Sequence, residues 1–88
     1  MNPYKEILRK FFAEYVGTLR KRRGLTQEQM AEKLRITGRA YSDLERGIYC
    51  LSAVALVFLL LMLEEHELKE LLSPLREEIA KVEDREVA

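Results

Sequence analysis

Side chains that make and break bonds are few in this sequence, and their spacing suits none of the usual reactions. Cys50 and His66 each occur once, which excludes an intramolecular disulfide and leaves no set of soft metal ligands. No glycine-rich loop is placed to cradle a phosphate, and no Cys–His pair stands in the context of a nucleophile. The carboxylates Glu64, Glu65, Glu67 and Glu70 are spaced as a solvated helix face. No catalytic residue, metal or cofactor is therefore expected. What the sequence does offer is unevenly distributed charge. Residues 1–46 hold eleven Lys and Arg against six Asp and Glu, net +5, whereas residues 47–88 hold four against nine, net −5. A formal charge of zero thus hides a basic front half that could work on an anionic partner and an acidic rear half that supports it.

These groups need a scaffold, and 88 residues allow one small core. A chain that is 48% hydrophobic and 34% charged has the profile of a folded domain. Asn2 and Pro3 read as N-cap and first helical position, and apolar residues then recur from Tyr4 through Leu19 at helical spacing. They predict a helix over 3–22, stopped by Gly24. Gly17 inside it implies a close approach by a neighbour. Thr26-Gln27-Glu28-Gln29 has capping-box form and opens a helix over 26–34. Thr37 caps a third helix, 37–46, ended by Gly47, and Ser52 caps a fourth, 52–63. Every residue from Ala53 to Leu63 is apolar. Eleven residues are too few to cross a bilayer, which takes about 20, so this helix must be covered on all sides. A fifth segment, 64–83, should break at Ser73-Pro74 and fray from Asp84. No strand pattern occurs, and the expected fold class is all-α.

The stretch Leu19–Gly47 reads LRKRRGLTQEQMAEKLRITGRAYSDLERG. It resembles the lambda-repressor-like helix-turn-helix family, the Cro and xenobiotic-response-element type of regulator. The shared pattern is an Arg, then G-L-T-Q-E-x-x-A-x-x-L, a turn and L-E-R-G, over 29 of the 88 residues. The resemblance implies a five-helix DNA-binding domain over 1–63, with the motif at 27–46 and a C-terminal helical extension at 64–88. It implies a sequence-specific transcriptional regulator that places helix 37–46 in the major groove. Carried over by position, Gln27 and Thr37 contact phosphates at helix N-termini. Gly38, Arg39, Ser42 and Asp43 face the groove, with Arg39 suited to guanine O6 and N7 and Asp43 to cytosine N4. Lys21, Arg46 and Tyr49 are further backbone contacts, and Arg22 and Arg23 form a basic patch able to steer DNA. Arg20 and Glu45 match the family's structural ion pair. Two positions depart from the pattern. Arg35 stands where the family often has Gly, either strained in a left-handed backbone or right-handed and merely adding charge. Tyr41 replaces a smaller Ile or Val, its hydroxyl expected to reach solvent.

The apolar fourth helix also bears on assembly. One face should pack under the motif, leaving Val54, Val57, Phe58 and Leu61 for a second burial with Leu68 and Leu72. The partner is either a symmetry mate, giving a homodimer on a palindromic operator, or the last helix folding back within one chain. The expected partners are double-stranded DNA and a second copy, with no membrane and no small-molecule ligand. The other reading is a protein-interaction module, such as an antitoxin or an antagonist of another regulator. Tyr4-Lys5-Glu6 interrupts any early apolar run, so a cytoplasmic protein is expected.

Overall fold

The computed structural model describes residues 2–87, which form five α-helices and no strand among the described residues. They are α1 (Pro3–Arg22), α2 (Gln27–Leu34), α3 (Gly38–Glu45), α4 (Ala53–Met62) and α5 (Glu65–Val87). The all-α fold class holds, and the caps explain the starts. Asn2 accepts from the Tyr4 N–H (3.0 Å), Thr37 from Ala40 (3.0 Å) and Ser52 from Ala55 (3.1 Å). At α2 the box is complete, Thr26 Oγ1 accepting from the Gln29 N–H and Gln29 Oε1 from the Thr26 N–H.

The first three helices end with the same closure. A residue with positive φ lets two N–H groups turn back onto the last carbonyls, at Gly24 (φ 66), Gly47 (φ 78) and Arg35 (φ 63). Arg35 therefore takes the left-handed backbone, the strained of its two options. Its side chain compensates locally. Nη1 donates to the carbonyls of Glu32 (3.0 Å) and Lys33 (3.3 Å), and the guanidinium lies 4.5 Å over the Phe58 ring of α4.

The core joins Phe12, Val16 and Leu19 of α1 to Met30, Ala31 and Leu34 of α2, Tyr41 and Leu44 of α3, and Ala55 and Leu59 of α4, with Leu71 of α5. Tyr41 is fully buried, against the expectation of a solvated hydroxyl: its O–H donates inward to the Val16 carbonyl (3.3 Å). That bond makes a phenol acceptable at a core site where an aliphatic residue would otherwise fit.

The fifth segment departs furthest from expectation. It is one helix through Ser73 and Pro74, and it continues past Asp84 to Val87. Proline removes one N–H from the ladder, a local loss that burial of Leu71 and Val82 on either side outweighs. α5 doubles back along α1, and Val82 near its far end is buried. It therefore covers α1 rather than the apolar α4. Val54, Val57 and Leu61 of α4 remain 59%, 51% and 74% exposed. No helix among the described residues is long and apolar enough to cross a membrane.

Candidate nucleic-acid interface

The interface begins with what holds α3 in place. Arg20 Nε and Nη2 donate to both oxygens of Glu45 (3.0 and 2.9 Å), and Nη1 donates to the Leu25 carbonyl (3.1 Å). A planar fork meeting a carboxylate in this way fixes orientation as well as distance. Both side chains are largely covered, at 15% and 17% exposed. The hydrogen bonds from Arg20 hold the Glu45 carboxyl down to about 2, and the same pairing raises Arg20. Burial pushes the Tyr41 phenol up, so it stays neutral beside the pair. Gly17 is where α1 admits this cluster: a Cβ there would lie 3.4 Å from Glu45 Cγ and Cδ. The close approach expected at Gly17 is thus made by Glu45.

On the outer side of α3, Arg39 and Arg46 are exposed, and Ser42 and Asp43 are half-buried. Gly38 opens the helix, and Thr37 beside it spends its hydroxyl on the cap. Arg46 Nη1 lies 3.5 Å from Asp43 Oδ1, so these two residues are paired within the helix. Gln27 is exposed at the start of α2, its amide directed at Glu45 Oε1 (3.4 Å). The motif's first residue and its structural ion pair therefore form one connected group. Lys21 and Tyr49 are exposed at the ends of the segments flanking the motif.

Arg22 and Arg23 do not form a free basic patch. Arg23 Nη2 donates to Glu67 Oε1 and to the Met62 carbonyl, and Arg22 Nη1 lies 3.5 Å from Glu67 and 3.6 Å from Glu70. Glu67, expected on a solvated face, is buried at 4% exposure. It also accepts from the Glu64 N–H (3.0 Å), capping α5. That backbone bond, with Arg23, holds its carboxyl below the usual range. Sequence reasoning missed this residue because its partners lie over forty positions away. The one local signal was its place three residues after Glu64, the spacing of a reciprocal cap.

A short helix fixed to α1 by a covered ion pair, and presenting an arginine-bearing face beside the start of a second short helix, is the arrangement of a helix-turn-helix DNA-binding protein. The profile of the helix-turn-helix family HTH_3, the lambda-repressor-like Cro/C1 type, matches residues 16–65, more than half of the chain. The chain belongs to that family, one of DNA-binding transcription regulators rather than enzymes. Neither a curated protein nor a solved structure matches it.

Proposed function

We propose that the protein is a sequence-specific repressor that binds a palindromic operator as a homodimer in the cytoplasm. The observation that carries the DNA half is the exposed Arg39 on a helix whose orientation the Arg20–Glu45 fork fixes. Arg39 reads a guanine, and Ser42 and Asp43 line the same groove. Gln27, Thr37, Lys21 and Arg46 meet phosphates, with the N-terminal dipoles of α2 and α3 assisting. The dimer rests on α4, where Val54, Val57 and Leu61 project from a helix that α5 leaves uncovered. Leu68 on α5 is 37% exposed, and Phe58 and Leu72 are half-buried. A two-fold built on this surface leaves both α3 helices free to enter successive major grooves, about 34 Å apart.

In vitro selection of bound DNA tests the reading in one step. The expected product is two inverted half-sites, and Arg39→Ala should relax one base pair at a loss of about 1–3 kcal/mol. Leu61→Glu should leave a folded monomer by sedimentation equilibrium and select single half-sites. Enrichment of no sequence would overturn the DNA-binding reading. A wild-type monomer at tens of micromolar would overturn the dimer and favour the exposed α4 as a docking face for another protein.

A further inference from the structure

Gly38 opens the recognition helix without a side chain to present, and the structure fills that vacancy from the neighbouring helix. A Cβ built on Gly38 would lie 2.8 Å from Glu28 Cδ and 3.1 Å from Oε2, with Oε1 closer still. The Glu28 carboxylate therefore occupies the space that a side chain at position 38 would take. Glu28 is exposed and enters none of the ion pairs found among the described residues. Thr37 caps only the Ala40 N–H, and the positive end of the α3 dipole lies beside this carboxylate.

Taking the DNA-binding reading above as its basis, the geometry points to Glu28 as a base-reading residue that selects cytosine beneath the N-terminus of α3. The N-terminal residues of a recognition helix face base edges. A carboxylate only accepts hydrogen bonds, and the major groove offers donors only at cytosine N4 and adenine N6. Adenine sets its N7 acceptor beside that donor and guanine presents two acceptors, so both repel a carboxylate that cytosine accommodates. Asp43, the other carboxylate on this surface, already faces Arg46. Glu28 is the unpaired one.

The test is in vitro selection with the full chain and its Glu28→Ala, Glu28→Gln and Gly38→Ala variants, each first shown to be folded by circular dichroism. The wild-type chain should enrich one cytosine that Glu28→Ala no longer distinguishes, a loss of about tenfold or more in discrimination there with the other positions kept. Glu28→Gln should move the preference toward adenine, whose N6 and N7 suit an amide. Gly38→Ala should reproduce the Glu28→Ala result, because its methyl displaces the carboxylate, and the double variant should lose no more than either single one. Glu28→Ala retaining the cytosine, or weakening all sites uniformly, overturns the proposal while the DNA-binding reading stands. A wild-type chain that enriches nothing overturns both.

Discussion

Two carboxylates are clamped to the last turn of α1, and the protein uses them differently. Glu45 takes a two-pronged grip from Arg20 and ties α3 to α1. Glu67 shares itself between Arg23, Arg22 and the backbone N–H of Glu64, and ties α5 and the α4–α5 connection to the same turn. The Arg20 side chain is covered, at 15% exposed, whereas Arg22 and Arg23 are 50% and 32% exposed. Water and salt therefore reach the arginines of the second clamp more readily than Arg20, although its carboxylate is the more deeply covered of the two, at 5% against 17% exposed. The difference matches their tasks. On the function proposed above, α3 enters the major groove and tolerates little angular error, while α5 has a long apolar stripe to locate it.

The largest expected effect comes from breaking the tighter clamp. Glu45→Ala leaves Arg20 without its carboxylate, with only the Leu25 carbonyl still accepting, and should destabilise the fold by about 3 kcal/mol, the low end for removing one partner of a covered pair. Urea unfolding measures it. Glu67→Ala should lower stability less, and its deficit should shrink further with added salt, whereas that of Glu45→Ala should hardly change. Equal losses with equal salt response would erase the distinction between the clamps.

Acid should weaken both clamps in the intact chain. In the unfolded chain Glu45 titrates near its ordinary 4.5, and in the fold at about 2. Below 4.5 the unfolded state binds the proton that the native state refuses, so stability falls as pH drops. The Glu45 contribution is complete above 4.5 and is lost between there and about 2. Glu67 is shifted the same way and adds to the same limb. Glu45→Gln, compared with wild type by thermal melts at several pH values, should flatten that limb. An unchanged acid limb would mean that the clamp does not stabilise the fold through its charge.

The two clamps also mark how far the sequence could be read. The motif helices, their caps and the closing glycines are local chemistry, each decided within a few residues, and so were legible. Pairing Arg20 with Glu45 was legible only through the family pattern. Nothing local tells Arg22 and Arg23 that Glu67 is near, because that depends on α5 choosing α1 over α4. The stripe Leu68, Leu71, Leu72 and Leu75 suits either partner. Pro74 pointed the wrong way for a related reason: its local penalty is plain in the sequence, while the burial of Leu71 and Val82 that overrides it is tertiary. The inward turn of the Tyr41 hydroxyl and the lie of Glu28 against Gly38 were illegible for the same reason, since each depends on a neighbour in another helix, the Val16 carbonyl in one case and Gly38 in the other.

The smallest expected effect concerns a third arginine, which has a ring and two carbonyls in place of a carboxylate. Arg35 adopts the backbone that Gly24 and Gly47 adopt at the equivalent ends of α1 and α3, where a side chain is penalised by about 1 kcal/mol. Its guanidinium over Phe58 returns about 0.5–1 kcal/mol at an exposed site. Arg35→Gly removes the strain and the contact together and makes the unfolded chain freer, so the change in stability should lie within about 0.5 kcal/mol of zero. Arg35→Ala keeps the strain, loses the contact, and should cost about 1 kcal/mol. The gap between the two variants, read from urea midpoints, isolates the backbone term. If Arg35→Gly instead destabilises as much as Arg35→Ala, relief of the left-handed strain contributes nothing measurable, and the side-chain contacts with Phe58 and the α2 carbonyls set the stability of this corner. Phe58→Leu in the Arg35→Gly background then separates ring from carbonyls, because with the guanidinium gone the ring retains only its packing.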